Sequence, residues 1–322
     1  MSAPAPTSLL PDNPDGVARA AGFLADGGLV AFPTETVYGL GADARNDHAV
    51  AGIFQAKGRP HFNPLIVHVP DLTAAQALAE FPPQAARLAT AFWPGPLTLV
   101  VPRRPDAGLS DLVSAGLDTV ALRAPEHPLA QALLRAFGGP VAAPSANRSG
   151  AVSPTRAVHV IEGLEGRIDA VLDGGACGVG VESTIVGFEG NQPVLLRPGG
   201  LPAEAIEACL GQPLDIRAPN AAISAPGQLA SHYAPGAAVV LGAKTAPKGA
   251  LWLGFGPTCM GADLTLSASG DLLEAAANLF HHLRLLDDMA APGQQIAVAP
   301  IPDHGLGRAI NDRLQRAATP RT

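Results

Sequence analysis

The amino-acid sequence predicts an α/β protein of two domains. Short apolar runs alternate with Ala- and Leu-rich stretches of helical period, which is typical of strands joined by helices. At 322 residues the chain is longer than most single domains. Its charge is also divided unevenly, because residues 1–210 hold 13 Lys or Arg against 20 Asp or Glu, whereas residues 211–322 hold eight of each. We therefore predict an N-terminal domain over residues 1–210 and a second domain over residues 237–322.

The stretch between these domains, residues 211–236, is expected to be a linker. It is rich in Pro, Ala, Gly and Ser, and it has neither a helical nor an alternating apolar period.

The elements of each domain follow from the same patterns. In the N-terminal domain, strands are expected over residues 28–32, 64–69, 96–101, 119–124, 140–144 and 183–188, and helices over 47–58, 72–81 and 126–138. In the second domain, strands are expected over 237–242, 250–255 and 294–302, and helices over about 271–290 and 307–318. Because strands alternate with helices there, a parallel sheet is expected.

Composition excludes several classes of protein. A hydrophobic fraction of 47% with only 15% charged residues indicates a chain that folds around a core. The net charge of −7 argues against a broad, direct grip on nucleic acid. The cysteines, Cys177, Cys209 and Cys259, lie too far apart to indicate a disulfide framework or a zinc site. No signal peptide or membrane-spanning run is evident, so we expect a soluble, cytoplasmic protein.

The densest candidate motif is PTETVYGLGADA, residues 33–44. Gly39, Gly41 and Ala44 spell the G-x-G-x-x-A dinucleotide fingerprint, but the acidic residue expected about 20 positions later is missing. Two interpretations remain open. The glycines simply supply positive φ in a turn, or the hydroxyl side chains around them bind a small polar ligand.

A second motif, KGRPHFNPLIVHV, spans residues 57–69. Lys57 is the sole lysine in residues 1–210, and Arg59 follows two positions later. An ammonium and a guanidinium in this arrangement suit a phosphate, whereas two solvated charges at the end of a helix are the simpler interpretation. His68 lies in an apolar strand, where a histidine of the core is the default interpretation.

Arg123 lies in the apolar run TVALRAP and requires an anionic partner, because an unpaired buried charge costs several kcal/mol. The partner is either a structural carboxylate, such as Glu126 or Asp118, or the carboxylate of a ligand.

Polar residues also cluster in predicted loops after the strands, where they suit contacts to a phosphate or a nucleobase. They are Ser145, Asn147, Arg148, Ser149, Ser153 and Thr155 in residues 140–155, Glu182, Ser183, Thr184 and Arg197 in residues 180–200, and His232 and Tyr233 in the linker. The usual phosphate-loop, nucleophile-elbow and metal signatures are missing. These observations indicate a cleft for an anionic ligand that acts by positioning and electrostatics rather than through a covalent intermediate.

Eight blocks, in this order, resemble the YrdC-like threonylcarbamoyl-AMP synthases. They are PTETVYGLGA, KGRPHFNPLIVH, WPGPLTLV, TVALRAP, APSANRSG, ESTIV, LLRPG and SHYAPG, and GLGRAINDRLQRAA resembles the end of the second domain of the family's long form. The resemblance implies a YrdC-like twisted, open, mixed sheet with helices, then a linker and a small Rossmann-like α/β domain.

The family's chemistry is then expected of this chain. L-Threonine and bicarbonate or CO2 give the N-carboxy (carbamate) derivative of threonine, whose carbamate oxygen attacks the α-phosphate of ATP and releases pyrophosphate. The product, threonylcarbamoyl-AMP, passes to the complex that transfers the threonylcarbamoyl group to tRNA beside the anticodon. Mg²⁺ is expected to arrive with ATP, held largely by the triphosphate.

Site residues carry over by matching motif. The resemblance assigns catalytic contacts with the phosphates to Lys57 and Arg59. It assigns the remaining ATP contacts to Asn63, Thr119, Ser145, Asn147, Ser153, Arg197, His232 and Tyr233. It assigns the threonine site to Thr34, Thr36, Tyr38, His68, Arg123, Ala143 and Ser183, without deciding which of the two threonine hydroxyls touches the substrate. His232 and Tyr233 are expected to close the site as part of a lid.

Two other functions stay open. One is a carbamoyl-adenylate former of the hydrogenase-maturation type, which uses carbamoyl phosphate. The other is a non-catalytic module that binds structured RNA.

Overall fold

The computed structural model describes residues 6–217, 225–227 and 232–319. The N-terminal part contains β1 (Ser8–Leu10), α1 (Pro14–Ala25), β2 (Val30–Phe32), β3 (Gly39–Asp43), α2 (Asp47–Lys57), β4 (Ile66–His68), α3 (Leu72–Gln76), α4 (Pro83–Phe92), β5 (Leu97–Pro102), α5 (Asp111–Ser114), β6 (Thr119–Arg123), α6 (Pro128–Phe137), β7 (Val141–Ala142), α7 (Ala157–Leu164), β8 (Ala170–Leu172), β9 (Thr184–Glu189), β10 (Gln192–Arg197), α8 (Ala203–Leu210) and β11 (Asp215–Ile216). The C-terminal part contains β12 (Val239–Leu241), β13 (Leu251–Gly254), β14 (Leu264–Thr265), α9 (Leu272–Met289), β15 (Ile296–Val298) and α10 (Leu306–Ala318).

Two sheets organise the described residues. Eleven strands form a mixed sheet in the order β1-β8-β2-β3-β7-β4-β6-β5-β9-β10-β11, and four form a second sheet in the order β12-β15-β13-β14. Every pairing in the second sheet is parallel, which confirms the expectation from sequence. The α/β class and the mixed N-terminal sheet are confirmed as well. The boundaries 1–210, 211–236 and 237–322 stay a prediction.

Each strand predicted in the N-terminal part is present, but two expectations there are wrong. The helix expected over residues 72–81 ends at Gln76, because the chain then turns and Ala79 bridges to Arg103. The G-x-G-x-x-A stretch does not form a turn that opens a helix, since Gly39 and Gly41 lie within strand β3.

These two glycines lie in closely packed positions and do not have positive φ. A Cβ on Gly41 would lie 2.9 Å from both the Phe32 ring and Val141, and one on Gly39 would lie 3.3 Å from the Ala143 side chain. Both the dinucleotide fingerprint and the positive-φ turn are therefore wrong.

The C-terminal sheet and its helices share a core with the N-terminal part. Apolar residues of β13, α9 and α10, including Leu253, Phe280 and Ile310, are buried together with Val37 and Tyr233. The helices α9 and α10 thus pack beside the loop that follows β2. None of the described helices is long and apolar enough to cross a membrane.

Candidate active site

Polar side chains meet in a small cavity at the ends of β4 and β6. These strands are parallel, and their last residues, His68 and Arg123, are register partners. The cavity measures about 40 Å³. It is lined by Thr34, Val37, Gly39, Arg59, Ile66, His68, Arg123, Ala143, Pro144, Ser145, Glu182, Ser183, Arg197, Pro226, Gly227, His232 and Tyr233.

The hydroxyl-rich loop after β2 forms one wall. Thr34 Oγ1 donates to the Val37 carbonyl at 2.7 Å and lies 2.8 Å from Thr36 Oγ1. Thr34 borders the cavity, while Thr36 lies behind it and accepts a hydrogen bond from Arg123 Nη1 at 2.9 Å. The Tyr38 hydroxyl points elsewhere, donating to the Gly175 carbonyl at 2.8 Å, and burial raises its pKa. The structure therefore does not bring the Tyr38 hydroxyl to the cavity.

Arg123 has a structural carboxylate partner, but not one of the two expected. Its Nη2 donates to Glu35 Oε1 at 2.6 Å, so the expectation of Glu126 or Asp118 is wrong. Glu126 contributes only its backbone N–H, which donates to Glu35 Oε2 at 3.1 Å. The reason is topological, because the loop after β2 crosses the end of β6 and delivers Glu35 to a buried guanidinium.

Lys57 and Arg59 are buried, which rules out two solvated charges. Asn46 caps the start of α2 and Gly58, at φ 61°, ends it, so the helix delivers Lys57 beneath the loop after β7. Its ammonium donates to the carbonyls of Ser145 and Asn147. Burial, followed by the charge of Arg59, holds the pKa of Lys57 well below its usual range.

Arg59 lines the cavity and donates to the Asn63 and Pro64 carbonyls at 3.3 and 2.9 Å. Burial lowers its pKa to about 10. Asn63 is 1% exposed, and neither its side-chain oxygen nor its nitrogen has a partner. Buried amides are rarely left unpaired, so Asn63 is available to a ligand.

His68 is buried at the cavity wall beside Phe32, with their ring centroids 6.0 Å apart. Burial lowers its pKa to about 3, so the ring is neutral near pH 7. His68 therefore belongs to the core, as its apolar strand predicts, and it also borders the cavity.

The loop after β7 contributes Ser145 and Ala143 directly. Asn147 Nδ2 instead donates to the Arg148 and Ala151 carbonyls, which closes its own loop. Ser153 does not line the cavity, but its hydroxyl donates to Oε1 of Glu182, which does, at 2.5 Å.

Ser183 and Arg197 form the opposite wall. Arg197 donates to the Ser183 carbonyl from Nε and Nη2 at 3.2 and 2.9 Å, and Ser183 Oγ lies 2.7 Å from Thr98 Oγ1. Gly199 is necessary to this arrangement, since a Cβ there would lie 2.3 Å from the Ser183 backbone.

Residues of the predicted linker line one side of the cavity. Pro226, Gly227, His232 and Tyr233 all line it, and Tyr233 has a φ of 60°. This left-handed conformation costs roughly 1–2 kcal/mol for a residue with a side chain, so the packing around Tyr233 must offset that cost. Ser231 lies outside the described residues.

Thr119 is a predicted site residue that does not line the cavity. It begins β6, whereas Arg123 ends it, and four strand residues span about 13 Å. Thr119, Ala121 and Arg123 nevertheless share one face of the sheet, because side chains alternate along a strand. Ala121 on this face packs with Ile66 and with Ala225 of the linker.

Sequence reasoning missed the structural role of two acidic residues and one arginine. Glu35 binds Arg123, and Glu182 binds both Ser153 and Arg313 of α10. The acid inside the hydroxyl-rich PTETVYG motif was a usable signal for Glu35. The cations Arg59, Arg123 and Arg197 line the cavity, and Lys57 holds the loop that carries Ser145, so the arrangement suits an anionic ligand.

Comparisons with known proteins agree with this arrangement. The sequence matches a family model described as telomere recombination over residues 22–199, and one described as the C-terminal domain of threonylcarbamoyl-AMP synthase over residues 201–319. The chain is 43% identical to threonylcarbamoyl-AMP synthase of Bacillus subtilis, over 97% of this chain and 95% of that protein. It is 42% identical to the Pyrococcus abyssi protein of the same name, over 93% of each. The fold is similar to the crystal structure of P. abyssi Sua5 complexed with L-threonine, with a TM-score of 0.88, 39% identity and 97% of each chain covered.

Proposed function

The chain belongs to the threonylcarbamoyl-AMP synthase family, and we propose that it makes threonylcarbamoyl-AMP and pyrophosphate from L-threonine, bicarbonate or CO2, and ATP. This reaction is the first step of threonylcarbamoyladenosine formation in tRNA. Its product passes to the complex that transfers the threonylcarbamoyl group to tRNA. The observation that carries the proposal is the match to these synthases over nearly the whole chain, together with three arginines that line one cavity.

The threonine site is assigned to the inner part of the cavity. Thr34, His68, Arg123, Ala143 and Ser183 all line it there, and the P. abyssi relative was crystallised with L-threonine. Arg123 already binds Glu35, and its charge would be shared with the substrate carboxylate. A neutral His68 accepts or donates one hydrogen bond without adding charge. We assign the direct hydroxyl contact to Thr34, because Thr34 borders the cavity whereas Thr36 lies behind it against Arg123.

ATP is assigned to the sheet face that the linker now covers. A cavity of about 40 Å³ holds a few waters at most, whereas nucleotide-sized ligands need several hundred Å³. The residues Ala225, Pro226 and Gly227 therefore have to move for ATP to bind. Their withdrawal would uncover the face shared by Thr119, Ala121 and Arg123, with Arg59, Asn63, Ser145 and Arg197 at its inner end.

The proposed reaction needs alignment and charge neutralisation. The neutral threonine amine adds to CO2 and gives up a proton to solvent, or adds to bicarbonate with loss of water, and forms a carbamate. A carbamate oxygen then bonds to the α-phosphorus as the bond from that phosphorus to its bridging oxygen breaks, and pyrophosphate leaves. Arg59 and Arg197 would stabilise the phosphate oxygens as charge develops. Lys57 would fix the Ser145–Asn147 loop and direct its remaining N–H toward the phosphates. The return of His232 and Tyr233 would exclude water from the labile product.

Mg²⁺ is proposed as a companion of ATP. The described residues contain no group of three or more His, Cys, Asp or Glu side chains that could hold a metal ion. We therefore assign its coordination to the phosphates, whose charge it would neutralise.

Pyrophosphate release with omission of each substrate tests the proposal. Release should require ATP, L-threonine and bicarbonate together, and mass spectrometry should detect threonylcarbamoyl-AMP. Release without threonine, or none from folded protein, would contradict it. Carbamoyl phosphate in place of bicarbonate distinguishes the hydrogenase-maturation type of reaction, and salt-dependent RNA binding without ATP turnover distinguishes the RNA-binding alternative.

A matched pair of variants locates the reaction. Arg197→Met should reduce turnover at least about 100-fold, the scale for loss of one preorganised electrostatic contact. Arg135→Met, on the exposed last turn of α6, should leave turnover within about twofold.

A further inference from the structure

An arginine of the C-terminal part is buried against the proposed active site. Arg313, on α10, has no exposed surface. Its Nε donates to Glu182 Oε2 at 2.9 Å, and its Nη1 donates to the Pro198 carbonyl and to Asp312. The residues it reaches flank Ser183 and Arg197, so one side chain connects α10 to the cavity wall.

Glu182 is the carboxylate that this arginine compensates. It lines the cavity and is 6% exposed, and its other oxygen, Oε1, accepts from Ser153. Burial alone would raise its pKa, but the charges of Arg313 and then Arg197 hold the pKa below its usual value. Glu182 therefore stays ionised inside a site that we assign to a polyanion. A negative charge there opposes ATP unless a cation neutralises it.

Arg313 also helps to hold the linker. Its guanidinium carbon lies 5.5 Å from the centre of the Tyr233 ring, within the range of a cation–π contact. Phe280 of α9 stacks on the same ring with a centroid distance of 5.5 Å. Tyr233 in its left-handed conformation is thus seated between two helices of the C-terminal part.

We propose that Arg313 is a positioning residue for the nucleotide: it neutralises Glu182, orients Ser153 through that carboxylate, and seats Tyr233 over the cavity. The inference rests on the proposed function, since it concerns ATP in the synthase reaction. It assigns to the C-terminal part a role in ATP use rather than in threonine recognition.

The contacts of Arg313 predict a separation between the two substrates. Its partners Glu182, Pro198 and Tyr233 lie on the side of Ser153 and Arg197. Thr34, Thr36, His68 and Arg123 form their own hydrogen bonds and packing on the other side. Loss of Arg313 should therefore weaken ATP much more than threonine.

Steady-state kinetics of four variants test this inference. Arg313→Met should raise KM for ATP at least about tenfold, as expected when a buried charge loses its partner, and leave KM for threonine within about twofold. Arg313→Lys, which keeps the charge but not the guanidinium fork, should show a smaller rise. Arg313→Met combined with Glu182→Gln should bind ATP better than Arg313→Met alone, because the uncompensated charge is gone. Arg308→Gln is the control, since this residue of α10 forms a half-exposed ion pair with Glu204 at 3.4 Å.

The outcomes are distinguishable. If the wild type shows no reaction that requires all three substrates, that result contradicts the proposed function and leaves the contacts of Arg313 unchallenged. With an active wild type, an unchanged KM for ATP in folded Arg313→Met overturns it, as does an equal rise for both substrates, which would indicate a merely structural role. A double variant no better than Arg313→Met overturns neutralisation of Glu182. If thermal unfolding shows that Arg313→Met is not folded, the KM values of Arg313→Lys for ATP and threonine are compared instead, and they decide whether the inference holds.

Discussion

The ion pair between Arg123 and Glu35 makes the most direct energetic prediction. Its two charged atoms lie 2.6 Å apart, and the side chains are 4% and 11% exposed. Removing one partner of a buried pair typically costs about 3–5 kcal/mol, because the other charge is left uncompensated. In Arg123→Met, Thr36 Oγ1 also loses the hydrogen bond that Arg123 donates to it, whereas Glu35 keeps one hydrogen bond from the Glu126 backbone N–H. We therefore expect Arg123→Met to lower the free energy of unfolding by about 3–5 kcal/mol.

A double-mutant cycle measures the pair itself. Arg123→Met and Glu35→Met should each be destabilising, and the combined variant should recover much of the loss because no isolated charge is left buried. Urea unfolding followed by circular dichroism provides the four free energies. A coupling energy above about 1.5 kcal/mol is expected from close charge pairs.

Glu126 provides the control that separates the structure from the expectation based on sequence. Its side chain is exposed, so Glu126→Gln should change stability by less than about 0.5 kcal/mol. The reasoning is refuted if Arg123 couples to Glu126 instead, or if the effects of Arg123→Met and Glu35→Met are simply additive. Threonine binding by calorimetry should also fall in Arg123→Met, and intact binding would reject its assignment to the substrate.

Three further predictions concern catalysis, pH and packing. Lys57→Met should lower pyrophosphate release at least about 100-fold, because the loop carbonyls lose their ammonium; an unchanged rate would reject its role. The pKa values of His68 and His232 are lowered to about 3, mainly by burial, so folded protein binds fewer protons than unfolded protein as pH falls below 6.5. Each should cost about 2 kcal/mol of stability at pH 5, a loss that urea unfolding at pH 7 and 5 measures and that His68→Gln should reduce. Gly199→Ala should destabilise by about 1–3 kcal/mol and impair turnover, whereas Gly178→Ala, with open space around its Cβ, should do neither in the same assays.

The sequence predicted those helices and strands whose ends are set by neighbouring residues, and it failed where contacts with distant residues decide. The helix expected over residues 47–58 is observed as α2, because an Asn cap and a left-handed glycine define its ends. The helix expected over residues 72–81 failed where a long-range bridge from Ala79 to Arg103 overrides helical propensity. Strand β3 was missed for a similar reason, since its glycines are explained only by the Phe32 and Val141 side chains that approach them.

The candidate site shows the same division. Sequence motifs identified side chains that the structure does bring together, including Thr34, Arg59, His68 and Arg197. They could not say which of these touch a ligand and which hold another residue. Lys57 is an example, because its bonds to two backbone carbonyls depend on a loop about 90 residues away.

Arg313 shows where a closer use of periodicity would have helped. The last helix carries several charged residues, which is usual for a solvated face. Yet Leu306, Ala309, Ile310 and Leu314 mark its buried face, and Arg313 falls on that face, three residues after Ile310. An arginine among apolar neighbours requires an anion from another element. The pattern indicates this need but does not identify the anion. Only the fold identifies it as Glu182, 131 residues earlier, and thereby connects the second sheet to the chemistry of the first.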